Sequence, residues 1–226
     1  GADPSGMTTR AVKDGEDWVL NGRKIWISRA AEADFTIVMA VTDKEKRSRG
    51  GISAFLVDRD TPGFNVLRRI PMVGGAATYE VALEDCRVPG WKLLGTEGEG
   101  FAPMQLRLGT RRIEMASWSI GMAQRALDMI VEFAPQRKTF GLPLSERQAI
   151  QWWVADASTK IHAARLMAYD IAWKLDQGRD VRVEISMLKV FGTELGWEVI
   201  DQAIAGSLFT AFDNTGQICT SGSRLL

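Results

Sequence analysis

The hydrophobic pattern of this chain changes period once, near residue 95. Before that point apolar residues alternate with polar ones or gather in short runs. Phe35, Ile37, Met39 and Val41 alternate with Thr36, Val38, Ala40 and Thr42, the repeat of a β-strand. Trp18-Val-Leu-Asn-Gly22 leads through an Asn-Gly pair into Lys24-Ile-Trp-Ile-Ser28, which predicts a hairpin. Further strands are predicted at Ile52–Asp58, Phe64–Ile70 and Thr78–Leu83, separated by Gly50-Gly51, Pro62-Gly63 and Gly74-Gly75. Lys44–Arg49 reads as a solvated charged loop. Short strands so closely spaced suggest a small sandwich or barrel.

From about residue 100 the spacing is helical. Ile113, Ala116, Ile120, Ala123, Leu127 and Ile130 form one apolar stripe. A second helix is predicted from about Ser145 to Gln177, with Ile150, Trp153, Val154, Ala157, Ile161, Ala164 and Ala168 inward and Gly178 as its stop. A third begins near Val181 and carries Ile185, Leu188, Phe191, Leu195 and Val199. Long helices with short connections imply antiparallel neighbours. Strands followed by helices, unmixed, imply an α+β chain. We expect a partial β-barrel or sandwich over residues 1–95, an antiparallel helical bundle over 96–204, and a tail of different character over 205–226.

Composition narrows the function classes. The 28 Lys and Arg balance 28 Asp and Glu, so nothing points to nucleic acid or an anionic membrane. No apolar run is long enough to span a membrane. Cys86 and Cys219 form no disulfide framework, which fits a reducing compartment: bacterial cytoplasm or mitochondrial matrix rather than a secreted location.

The stretch richest in candidate chemistry is Arg137-Lys-Thr-Phe-Gly-Leu-Pro-Leu-Ser-Glu-Arg-Gln148, between two predicted helices. An arginine fork and a threonine hydroxyl can hold a diphosphate, and a glutamine amide can read a heterocycle edge. The plainer reading is that Ser145-x-x-Gln148 is a capping box and Arg137 a solvated cation near a helix end. Trp26-Ile27-Ser28 closes a predicted strand; its indole can stack on a flat cofactor and Ser28 can donate to a ring heteroatom, or both can be ordinary strand residues. His162 is the only histidine, so no metal site is expected. Without a nucleophile-elbow pattern we read it as structural. Glu114, Glu184, Glu194 and Glu198 are helical carboxylates, none distinguished as a base. Gly95-x-x-Gly98-x-Gly100 lacks the strand-to-helix context of a dinucleotide fingerprint.

Taken in order, these segments resemble the acyl-CoA dehydrogenase family. The resemblance rests on Gly1-x-Asp3, Val19-Leu-Asn-Gly-x-Lys-x-Trp-Ile-Ser28, Arg87-Val-Pro89, Leu94-Gly-x-Glu-Gly-x-Gly-Phe101, Gly121-x-Ala-x-x-Ala-Leu127, Arg137-Lys-Thr-Phe-Gly141, Gln148-Ala-Ile150 and Thr193-Glu-Leu-Gly196. It covers residues 1–204 and implies the family's middle β-domain and helical C-terminal domain, without its N-terminal helical domain. It implies FAD as cofactor and α,β-dehydrogenation of an acyl-CoA thioester, with hydride transfer to flavin N5. By the same resemblance Trp26, Ile27 and Ser28 lie at the flavin ring. Arg137 and Thr139 hold the diphosphate, with Phe140 alongside and Gln148 near the adenine portion. The family completes this site across a subunit interface, so a homodimer or homotetramer is implied, with an electron-transfer flavoprotein as acceptor.

The chain departs from that pattern at several points. Ala2 stands where serine is common, and Pro135 falls in a turn that is usually regular helix. Family members carry the catalytic base either late in the chain or at the position of Arg111; arginine cannot serve, so the base is expected downstream. After Ala203-Ile204 the family's glutamine and Gly-Gly loop are replaced. Phe212-Asp-Asn-Thr-Gly-Gln-Ile-Cys-Thr-Ser-Gly-Ser-Arg224 instead resembles the aldehyde dehydrogenase nucleophile segment, with Cys219 as the thiol, though no nicotinamide domain accompanies it. The expectation is therefore a flavoprotein piece of weak or no activity by itself, and its rival a non-catalytic, self-associating fragment or chimera.

Overall fold

The computed structural model describes residues 3–72 and 75–208. They divide into two compact units between Leu106 and Arg107.

The first unit is built on one mixed sheet: β1 (Arg10–Asp14), β2 (Asp17–Ser28), β3 (Phe35–Val41), β4 (Ile52–Asp58), β5 (Phe64–Pro71), β6 (Ala77–Val88) and β7 (Leu93–Leu94). Their order is β5-β6-β2-β1-β3-β4-β7, antiparallel throughout except for one parallel pairing, Arg10 with Val41. The expected barrel does not close. The edge strands β5 and β7 do not pair with each other, and β7 has only two residues with which to complete a ring. The unit's core is gathered on one side by Trp18, Leu20, Phe55, Val57, Leu83 and Cys86. Burial pushes the Cys86 thiol up to about 11, so this cysteine stays a protonated, inert core residue at neutral pH.

The predicted hairpin at Asn21-Gly22 is corrected by the structure. β2 runs straight through that pair, and the reversal falls at Gly15-Glu16, between β1 and β2. Asn21 instead bridges to β6, accepting from the Asp85 amide at 2.9 Å and donating to its carboxylate at 3.1 Å. Gly22 marks a bulge, and a Cβ there would sit 2.6 Å from the Thr9 Cα. The glycine serves close strand approach rather than a turn. Arg87 of the Arg-Val-Pro motif then pairs with Asp14 and Asp17, pinning β6 to both strands of the true hairpin.

On β2, Lys24 faces an apolar cleft lined by Met7, Ile27, Met39, Phe64 and Val81. Burial drops its amine from 10.5 to about 8. Between those values the unfolded chain binds more protons, so stability should rise from about pH 8 to about pH 10.5. Lys24→Met is expected to flatten this slope and to stabilise the protein at pH 7 by on the order of 2 kcal/mol. Urea midpoints measured across that range check both effects.

The second unit contains α1 (Phe101–Phe133) from Arg107 onward, α2 (Gln148–Asp176) and α3 (Arg182–Leu208). The predicted stripe on α1 is the observed one, and Ile120, Leu127, Ile161, Leu188 and Leu195 are among its buried core. α2 and α3 run antiparallel, tied by Lys160–Glu198 at 2.6 Å and Lys174–Glu184 at 3.6 Å. Gly192 and Gly196 of the Thr-Glu-Leu-Gly region lie against Ala116 and Ser119, bringing α3 close alongside α1. His162 is exposed on α2, and among the described residues no His/Cys/Asp/Glu cluster could hold a metal.

Candidate functional site

The end of β2 is shaped by an added residue. Lys24 pairs with Val81 and Ile27 with Tyr79, so Ile25 and Trp26 together oppose Glu80. The bulge shifts the strand's phase by one position. Ile27 takes the inward place and packs on the core, while Trp26 turns outward with 58% of its surface exposed. Trp26 has φ 64 and Arg29 has φ 60, left-handed values that a bulky residue adopts only when its surroundings enforce them. The strand residues Ile27 and Ser28 are thus bracketed by two strained positions. Such strain near an outward-facing indole is a structural reason to look for a ligand there.

Ser28 is exposed at the strand end and pairs in register with Thr78 of β6. The Thr78 hydroxyl is buried and makes no hydrogen bond among the described residues. Both line an open cleft of about 560 Å³, with Arg69, Met72 and Tyr79 on its walls. A buried hydroxyl without a partner is costly unless a ligand or water satisfies it.

The second group lies on the connection between α1 and α2. There β8 (Lys138–Thr139) and β9 (Leu142–Pro143) pair as a miniature hairpin. Its two-residue turn, Phe140-Gly141, has φ 49 and 80, the left-handed pair of a type I′ turn. Glycine is suited to the second position; phenylalanine at the first is strained, and its ring is 98% exposed. Arg137 is half-buried, with its N–H donating to the Phe133 carbonyl and its own carbonyl accepting from the Leu144 N–H at 2.8 Å. Thr139 is half-buried and Gln148, the first residue of α2, is exposed.

The capping box of the plainer reading is absent. Ser145 sits in a 3-10 turn over Leu144–Glu146, its N–H donating to the Ala134 carbonyl, and α2 begins three residues later with Arg147 as its N-cap. Arg147 makes no side-chain cap. It donates instead to the Thr139 carbonyl, and its guanidinium lies 5.9 Å from the centre of the Phe140 ring. The capping-box pattern misled because Ser145 lies in a 3-10 turn ahead of α2 and its N–H is taken by the Ala134 carbonyl.

No described carboxylate stands out as a base. Hydrogen bonding from Arg111, with Arg107 nearby, holds the Glu114 carboxyl below its usual range, which makes it a poor proton acceptor. Glu198 pairs with Lys160, Glu184 faces Lys174, and Glu194 is exposed. Two contributors were missed in the sequence: Thr78, which only strand pairing places beside Ser28, and Arg147, whose unsuitability as an N-cap was the available signal.

Trp26, Ile27 and Ser28 belong to the first unit; Arg137, Thr139, Phe140 and Gln148 belong to the second. Cys219 and the segment from Phe212 to Arg224 lie outside the described residues.

Comparison with known proteins follows the same division. Residues 1–86 match the middle domain of acyl-CoA dehydrogenases, and residues 98–206 match their C-terminal domain. (R)-benzylsuccinyl-CoA dehydrogenase of Thauera aromatica is 44% identical over 206 residues, 90% of this chain and 51% of that protein. A probable acyl-CoA dehydrogenase of Bacillus subtilis, YngJ, is 40% identical over 90% of this chain and 54% of its own. The structure of butyryl-CoA dehydrogenase from Megasphaera elsdenii superposes with a TM-score of 0.86 at 35% identity, over 96% of this chain and 56% of that one. The chain thus spans about half the length of the curated relatives it matches. The domain matches end at residue 206, and nothing in the comparisons supports an aldehyde dehydrogenase-type thiol in the tail. With both domain matches in family order on a sheet followed by a helical bundle, this chain belongs to the acyl-CoA dehydrogenase family.

Proposed function

We propose that this chain is the FAD-holding part of an acyl-CoA dehydrogenase that introduces an α,β double bond into an acyl-CoA thioester. The observation that carries the reading is the strained bulge that turns Trp26 outward two residues before Ser28, whose register partner Thr78 has a buried hydroxyl with no hydrogen bond among the described residues. Those groups fit the cofactor: an indole face for a flat ring, with hydroxyls for its heteroatoms. Bound there, FAD would supply the two-electron acceptor for the dehydrogenation.

The protein's own residues bind and orient. The Trp26 indole packs on the ring and fixes its tilt, while Ile27 anchors that strand end in the core. Ser28 donates a hydrogen bond to a ring heteroatom. Arg137 and Thr139 grip the diphosphate, Phe140 lies along it, and Gln148 reaches the adenine portion. Arg111 occupies the early base position and cannot take the α-proton, so a carboxylate outside the described residues does so. We assign the β-domain to residues 1–95 and the helical domain to 96–204. A homodimer or homotetramer completing each site, and an electron-transfer flavoprotein as acceptor, belong to the same reading.

A second reading has its own support. Trp118, Trp152, Trp173 and Trp197 are all exposed on the helices, a large apolar surface for a single chain to leave in water. That surface favours self-association whether or not flavin binds. Colour separates the two. Protein refolded with FAD and passed through gel filtration is expected to keep a flavin absorption band near stoichiometric amount; a colourless oligomer would leave self-association as the better reading. No described helix is long and apolar enough to cross a membrane.

A further inference from the structure

We propose that Arg147 is a positioning residue that locks the Phe140-Gly141 turn in the shape that receives the cofactor diphosphate. This rests on the function proposed above. Arginine is a poor N-cap, yet it stands at the N-cap of α2 and leaves the helix end without a side-chain cap. Its side chain turns back over the preceding hairpin. Nη2 donates to the Thr139 carbonyl, and the guanidinium carbon stands 5.9 Å from the centre of the Phe140 ring. The hydrogen bond, with the longer cation–π approach beside it, therefore ties Arg147 to the Thr139–Phe140 peptide bond.

The hairpin needs that support. β8 and β9 have two residues each, far too few to be stable by themselves. Phe140 occupies a left-handed conformation that costs a non-glycine residue, and its ring is almost wholly exposed, so burial does not hold it. The remaining ties are at the base of the loop, where Leu144 N–H donates to the Arg137 carbonyl and Ser145 N–H to the Ala134 carbonyl. Only Arg147 reaches the tip among the contacts described for it. Because Arg137 directly precedes β8 and Thr139 lies in it, fixing the tip also fixes the spacing of the two diphosphate ligands.

The fork and the flat face are both required, so lysine should not substitute. The test uses the full chain with Arg147→Gln and Arg147→Lys. In both variants, amide hydrogen exchange across residues 138–144 of the flavin-free protein is expected to quicken about tenfold, with the amides of Ile161 and Leu188 unchanged as the fold control. FAD affinity should fall about tenfold, while affinity for riboflavin, which lacks the diphosphate, stays the same. Unchanged hairpin exchange overturns the proposal. So does FAD affinity equal to that of the parent, or full rescue by lysine, or an equal loss for FAD and riboflavin. A parent chain that binds no FAD at all overturns the functional reading itself; a parent that binds while the variants bind equally well overturns only the role of Arg147.

Discussion

Arg137→Ala is expected to lower FAD affinity by about 10- to 100-fold, the range set by losing charge-assisted hydrogen bonds worth about 1.5–3 kcal/mol. The reasoning combines placement with chemistry. Arg137 follows the last turns of α1, and its backbone is tied on both sides, to Phe133 and to Leu144. The side chain therefore leaves the loop in a restricted direction. It is half-buried, so its charge is less screened than that of a free surface arginine. A diphosphate presents two adjacent anionic groups, which a planar fork meets better than a point charge. Arg137→Lys should accordingly bind with intermediate strength, and the parent's affinity should weaken as salt rises. Titration by quenching of flavin fluorescence measures all three. Affinity unchanged in Arg137→Ala would remove the loop from the cofactor site.

Phe55→Ala should destabilise the protein by about 3–5 kcal/mol, the usual consequence of emptying a large aromatic site in a packed core. Phe55 is completely buried on β4 and meets Trp18 edge-to-face, ring centres 5.4 Å apart at 60°. Trp18 sits on β2 and Phe55 on β4, which do not pair in the sheet, so this contact closes the core across strands that backbone bonding leaves apart. Phe55→Leu, which keeps most of the volume, should cost about 1 kcal/mol. Urea unfolding reports the change as a lower midpoint with little change in slope. A loss below about 1 kcal/mol for the alanine variant would contradict the packing described here.

The helices were legible because their stripes are internal to each segment. Ile113 to Ile130 repeats at helical spacing whatever lies beyond it, and those residues are buried from Ala116 onward, with Ile113 partly buried against the core. β3 forms over the residues whose alternation predicted it, but its core face is the other one: Val38 and Ala40 are buried while Phe35 and Ile37 are exposed. The Asn21-Gly22 pair shows where such reasoning fails. Locally it is a strong turn signal, yet its partners are Thr9 and Asp85, distant in sequence, and their contacts keep the strand extended. Ser145-x-x-Gln148 failed for a similar reason: the Ser145 N–H that a capping box would satisfy is already committed to the Ala134 carbonyl. The expected barrel stays open because its edge strands β5 and β7 do not pair, which no single strand reveals.

By itself the amino-acid order determined the two-part architecture, the family, and the two short segments that carry the candidate chemistry. Each depends on residue types and spacings within a stretch of chain. Tertiary structure alone decided which way those residues face. The phase of β2 is set by a bulge that exists only because Lys24 and Ile27 pair with β6 one residue out of step, and that one step turns Trp26 from the core toward solvent. The pairing of Ser28 with Thr78, and the reach of Arg147 across to Phe140, arise in the same way. Side-chain direction in a strand reverses with every residue, so a single insertion, stabilised by contacts far away in sequence, outweighs the local pattern.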